Sequence, residues 1–229
     1  MSTVDVSYGR VVTQANLGRI DGAPVTEGPG VLRYVALGDS YTIGTAVGTG
    51  DRFPDQLVAA LGPEPPTLRL VANLGVNGYT AADLIRAELP ALEALDPEFA
   101  TVQVGVNDAV QGVPAARYEA AVVTILDALL ARLPAARIVA VEVPDYTVTP
   151  AGGDYGDPGQ QHDAIVENNA IMARLAAGRG IHLVAVLDLS RRARTDRSLV
   201  ATDGLHPSRA QYALWVERIL PVVRDLLTR

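Results

Sequence analysis

The chain has no cysteine. Thiol nucleophiles, disulfides and thiolate metal sites are thereby excluded, and nothing in the sequence depends on a redox compartment. It has no lysine either: all 19 basic residues are arginine. Schiff-base chemistry and the lysine of a Walker loop are excluded with it. No apolar run reaches the roughly 18 residues that a membrane-crossing helix needs. No basic stretch followed by an apolar one opens the sequence, so no signal peptide is read there. The expected location is cytoplasmic, with a processed secreted form left open. Net charge is −7 and the sequence pI about 4.9, so neither nucleic acid nor an anionic membrane is expected as a partner. The short basic run RRAR at 191–194 reads as a solvated face.

What is present is enough for a packed enzyme-sized unit. The 229 residues are 48 % hydrophobic and 20 % charged, without low-complexity blocks, which fits one large α/β domain. Residues 1–30, rich in Gly, Pro and Thr, read as an irregular N-terminal arm, and 31–229 as the domain. From residue 31 strand-like and helix-like stretches alternate. Strands are predicted at 31–37, 68–74, 99–105, 136–143 and 181–189. Helices are predicted at 53–61, 80–95 with an interruption at Pro90, 115–133, 162–180 and 208–227. This alternation calls for a five-stranded parallel sheet between two helical layers, an α/β/α sandwich of flavodoxin-like order 2-1-3-4-5. The segment 144–160, PDYTVTPAGGDYGDPGQ, reads as a long loop, and long loops in compact domains are commonly functional.

Chemistry in such sheets gathers at the carboxyl ends of the strands. After the first comes GDSYT, with Ser40. After the second comes GVNGYT, with Gly78, and after the third GVND, with Asn107. In the order 2-1-3 these strands are neighbours at about 4.8 Å spacing, so the three residues converge. Ser40 Oγ suits attack on a carbonyl carbon. The Asn107 amide and the N–H groups of Gly78 and Ser40 suit the oxyanion that results. A serine needs a base. His182 lies inside a predicted strand and reads as structural. His162 stands at a predicted helix start and reads as a cap or an exposed residue. His206 follows Asp203 in DGLHPS, a spacing that lets the carboxylate meet Nδ1 and leaves Nε2 for Ser40. The stretch from Leu187 to His206 is long enough to return across the rim at about 3.3 Å per residue. Tyr79 and Tyr146 are candidate substrate-binding residues. No metal or cofactor is expected.

Taken in order, GDSYT, NGYT, GVND and DGLH resemble the four blocks of the SGNH/GDSL hydrolases over about residues 31–227. The resemblance implies a serine esterase with Ser40 as nucleophile, His206 as base and Asp203 as its orienter. It also implies an oxyanion hole formed by the N–H groups of Ser40 and Gly78 and the Asn107 amide. Tyr41 stands where the GDSL signature has leucine, which bears on the pocket wall rather than on the reaction class. An acyltransferase on the same fold remains an alternative. An α/β-hydrolase elbow fits poorly, because Thr42 occupies the position of its second glycine. The glycine-rich GTAVGTG at 44–50 matches neither dinucleotide nor Walker patterns, so a nucleotide-binding module is the weaker alternative.

Overall fold

Hydrophobic residues on alternate faces build a sheet that is covered on both sides. The computed structural model describes residues 29–229; residues 1–28 of the expected arm lie outside it. Five strands, β1 (Val31–Gly38), β2 (Thr67–Asn73), β3 (Phe99–Gln103), β4 (Ile138–Val141) and β5 (His182–Val184), form a parallel sheet in the order β2-β1-β3-β4-β5. The α/β class and the strand order are those read from the sequence. The helices in chain order are α1 (Ser40–Ile43), α2 (Phe53–Leu61), α3 (Ala81–Ala87), α4 (Leu92–Leu95), α5 (Val106–Val110), α6 (Ala115–Leu130), α7 (Pro158–Ala177), α8 (Leu187–Arg191) and α9 (Arg209–Leu227).

Alternation decides which helix covers which face. Tyr34, Ala36, Phe99, Val139 and Val141 join one buried cluster, closed by Phe53 and Leu57 of α2 and Tyr212, Trp215 and Ile219 of α9. Their neighbours Val35, Leu37, Ala100, Val102, Ile138 and Ala140 join the other, closed by Leu84 of α3, by Val122, Ile125 and Leu129 of α6 and by Met172 of α7. Every residue of β3 and β4 is buried, as expected for central strands of a parallel sheet. Within this core Tyr34 Oη and Thr101 Oγ1 share a hydrogen bond of 2.6 Å, while Trp215 Nε1 and Gln103 Oε1 are buried without a partner among the described residues.

Several predicted elements are shorter in the structure, for identifiable reasons. The strand expected over 181–189 stops at Val184, and Leu187–Arg191 is helical instead. There the N–H groups of Val186 and Leu187 donate to Glu142 Oε2, which satisfies the start of α8 and removes them from the ladder. The strand expected to 143 ends at Val141, because the Asn169 side chain takes both the N–H and the carbonyl of Val143. β3 ends at Gln103, before Gly105 at φ 134° opens α5. The helix expected over 80–95 divides into α3, a 3₁₀ turn containing Pro90, and α4. The segment expected to be loop through 160 carries two 3₁₀ turns and ends earlier, at α7, with Asp157 as N-cap and Pro158 opening the helix.

Candidate active site

Ser40 does not sit in a plain turn. It opens α1, whose N-cap is the buried Asp39; Asp39 Oδ1 accepts from the Tyr41 N–H at 3.0 Å. The approach from β1 is tight. A Cβ on Gly38, at φ 153°, would stand 2.2 Å from the Gln103 carbonyl oxygen, so only glycine fits. Gly78 has φ 81° and nothing within 4 Å of an added Cβ. Its glycine requirement is therefore conformational, and the space above it is open to a ligand. Neither the Ser40 nor the Gly78 N–H donates to another of the described residues. Both suit a developing negative charge.

Asn107 lies on α5 rather than in a free loop. Its Nδ2 donates to the Tyr79 carbonyl at 2.9 Å and reaches Asp39 Oδ2 at 3.4 Å. The first bond fixes the amide. The second is at the outer limit of hydrogen bonding, so that hydrogen is the one available to a better acceptor. Asp108, next in sequence, holds α3 in place by accepting from the Ala81 N–H at 2.9 Å.

His206 is held by a short turn after α8. The Ala201 N–H donates to the His206 carbonyl at 2.8 Å, and Val200 pairs with Pro207 as an antiparallel bridge. His206 Nδ1 lies 2.6 Å from Asp203 Oδ2, while Asp203 Oδ1 accepts from the N–H groups of Leu205 and His206, each at 3.0 Å. Burial works to raise the Asp203 pKa, but the hydrogen bond from His206 and those from the two N–H groups together hold it below the ordinary value. Asp203 is thus an acceptor that stays charged and fixes the imidazole with Nδ1 toward itself. Tyr41 packs against the ring at a centroid distance of 5.0 Å. Tyr212 of α9 braces Tyr41 by donating from Oη to its carbonyl at 2.9 Å.

Ser40, Gly78, Asn107 and His206 line one cavity of about 810 Å³. Tyr79 and Tyr146 line it too, as expected from the sequence, together with Tyr41, Val106, Val110, Tyr155 and Leu205. Tyr155, 44 % exposed, stands edge-on to Tyr146, whose hydroxyl donates to Gln161 Oε1 at 2.9 Å. Among the described residues no hydrogen bond joins Ser40 Oγ to His206 Nε2. Both residues line one cavity, and catalytic hydrogen bonds are often long or unformed in unliganded sites. His162 and Asp145 are turned elsewhere: His162 Nδ1 meets the buried Asp145 Oδ2 at 2.9 Å, with Arg191 against both. His182 lies in β5, away from the cavity lining.

The sequence reading passed over three buried carboxyls around the Ser40 turn. Burial, aided by Asp108 and opposed by the Tyr41 N–H, pushes Asp39 up to about 7. Burial also drives Asp108 to about 6 and Glu88 to about 9. Asp39 and Asp108 stand inside the GDS and GVND blocks, so a signal for them existed. Glu88 has none: it is one acidic residue in an alanine- and leucine-rich stretch.

A family profile described as "GDSL-like Lipase/Acylhydrolase family" matches residues 36–214. The chain belongs to that family of hydrolases acting on ester bonds. No curated protein sequence matches it. Among solved structures, it is similar to a member of the lipolytic protein G-D-S-L family from Veillonella parvula, with 17 % identity, TM-score 0.68 and coverage of 84 % of this chain and 98 % of that one. It is similar to Axe2, an acetylxylan esterase from Geobacillus stearothermophilus, with 19 % identity, TM-score 0.68 and coverage of 84 % and 94 %. A third is the psychrotrophic esterase EstA from Pseudoalteromonas, with 17 % identity, TM-score 0.65 and coverage of 86 % and 99 %. These likenesses establish the fold. Among the described residues no helix is long and apolar enough to cross a membrane.

Proposed function

We propose that residues 31–229 are the catalytic domain of a serine esterase that cleaves carboxylic esters through an acyl-enzyme on Ser40. The observation that carries this reading is the single cavity shared by Ser40, Gly78, Asn107 and a His206 whose Nδ1 is tied to Asp203 at 2.6 Å. His206 Nε2 takes the Ser40 proton as Oγ bonds to the carbonyl carbon. The carbonyl electrons move to oxygen, which accepts hydrogen bonds from the Ser40 and Gly78 N–H groups and from Asn107 Nδ2. Collapse breaks the ester C–O bond, and the His206 proton leaves with the alcohol. Water repeats the sequence and releases the acid. Tyr79 and Tyr146 contact the substrate on the cavity walls. Acetylated sugars, suggested by the likeness to the acetylxylan esterase Axe2, and acyl-thioesters belong in the same assay as simple esters.

The test is a panel of p-nitrophenyl esters from acetyl to palmitoyl, run beside acetylated sugars and acyl-thioesters, with added alcohols as competing acceptors. Turnover of none of them overturns the reading. Transfer to alcohol in preference to water replaces hydrolysis by acyl transfer.

Two substitutions probe the oxyanion site. Asn107→Ala is expected to lower kcat by about 10²–10³-fold, with KM little changed, because the contact strengthens as charge develops. A large rise in KM at constant kcat would make Asn107 a ground-state binding residue. Gly78→Val adds a branched side chain at φ 81° in otherwise open space. It should cost about 1–3 kcal/mol of stability through backbone strain. It should also reduce kcat/KM at least about tenfold by occupying the approach to the N–H. Thermal melts and steady-state kinetics on the same preparation separate the two effects.

A further inference from the structure

Helix α3 joins the three segments that carry Ser40, Gly78 and Asn107. At its N-terminal end the Ala81 N–H donates to Asp108 Oδ2, and the Tyr79 carbonyl, two residues earlier, accepts from Asn107 Nδ2. At its C-terminal end stands Glu88, whose Oε2 accepts from the Gly38 N–H at 2.9 Å. Gly38 leads directly into Asp39 and Ser40, and its own packing leaves no slack. Glu88 is 2 % exposed, and its Oε1 is buried with no hydrogen-bond partner among the described residues.

An acid is an unusual choice here, since a glutamine would accept from the same N–H without carrying an ionisable group. One hydrogen bond does not replace the hydration of a buried carboxylate. Asp39 is the charged group that acts on Glu88, and it repels a second negative charge. Asp39 is coupled in turn to Asp108 and to the buried Tyr118. Burial first, and Asp39 after it, drives Glu88 to about 9 against the opposing Gly38 N–H, so the acid is neutral while Asp39 and Asp108, at about 7 and 6, have already ionised. A charged Glu88 would keep that one hydrogen bond but carry an unpartnered buried Oε1 and stand against Asp39, so ionisation destabilises the arrangement that holds Gly38.

We propose that Glu88 is a positioning residue: as a neutral acid it fastens the Gly38–Ser40 turn to α3, setting Ser40 against Gly78 and Asn107, and its ionisation releases the turn. The inference rests on Ser40 as the nucleophile. The consequence is an alkaline limit on activity that belongs to a residue outside the reacting groups.

Glu88→Gln keeps the acceptor and removes the proton. At pH 7.5 the variant should keep kcat/KM within about threefold of wild type. Wild-type activity should fall above about pH 9, and the variant's alkaline limb should lie at least roughly one pH unit higher. Glu88→Ala should lower kcat about tenfold or more at pH 7.5 with KM little changed, and glutamine restores it. Folding raises the Glu88 pKa, so the stability of wild type relative to the glutamine variant is lost as pH rises from the ordinary carboxylate range to about 9. The melting-temperature advantage of Glu88→Gln should grow over that window.

Fluorophosphonate labelling, located by mass spectrometry, separates this inference from the one beneath it. Label on another serine overturns the nucleophile. Label on Ser40 with superimposable pH profiles for wild type and Glu88→Gln overturns Glu88 alone. If the glutamine variant does not fold, the wild-type labelling rate decides. A fall near pH 9 at constant far-UV circular dichroism supports the inference, and a rate flat through pH 10 overturns it.

Discussion

Ser40→Ala is expected to lower kcat/KM on an activated ester by about 10⁴–10⁶-fold, equivalent to roughly 5–8 kcal/mol of barrier. The size follows from what is lost. Without Oγ there is no covalent intermediate, and the remaining donors act only on direct attack by water. Ser40 is 7 % exposed, and alanine removes a single oxygen, so the fold should survive. Far-UV circular dichroism and a melt within a few degrees of wild type are the controls. Fluorophosphonate should label wild type at Ser40 and leave the variant unlabelled. A variant with ordinary turnover would sink the nucleophile assignment and, with it, the mechanism.

His206→Ala should cost nearly as much, because a neutral hydroxyl is a weak nucleophile until its proton has somewhere to go. The two losses do not add. On the proposed mechanism Ser40 and His206 act as a unit, so the double variant should be no slower than the worse single one. Asp203→Asn tests the third member. Asp203 accepts from Nδ1 through Oδ2 and from two backbone N–H groups through Oδ1, and asparagine can keep the backbone pair while presenting an amide to the ring. The imidazole then settles in the wrong tautomer, at a cost of about 10⁴-fold in kcat. Kinetics of all three variants at one pH, beside His162→Ala and His182→Ala as references, check the assignment. A folded His162→Ala variant as impaired as His206→Ala would move the base elsewhere, since His162 is engaged with Asp145 and Arg191 rather than with the cavity.

The blocks around Ser40, Gly78 and Asn107 were legible because each follows an apolar run, and strand order alone places them side by side. The Asp203–His206 contact was legible because its partners are three residues apart. The longer-range contacts around them were not. Glu88 meets Gly38 across 50 positions of chain, and nothing local marks it as buried. The Asn107 amide is oriented by a backbone carbonyl, an acceptor that every residue carries, so no pattern of side chains reveals it. Element ends failed for a related reason. Glu142 and Asn169 cut β5 and β4 short through side-chain bonds to backbone, and such competition depends on tertiary approach rather than on propensity. Tyr41 could be read as a pocket wall, but its packing on the His206 ring required the turn to have returned.

The brace from Tyr212 to the Tyr41 carbonyl spans 171 positions of chain, so it can form only after α9 has been made. The Ser40 turn leaves the ribosome well before α9. The support beneath its base is made only with α9. A nascent chain stopped before α9 holds Ser40, Gly78 and Asn107 but leaves the His206 turn without its backing, and it should neither turn over ester nor take up a serine-directed label. On the proposed mechanism hydrolysis is expected only once the sheet and α9 are in place, and the rate at which activity appears in a translation reaction should report folding of the whole unit rather than of any early part of it.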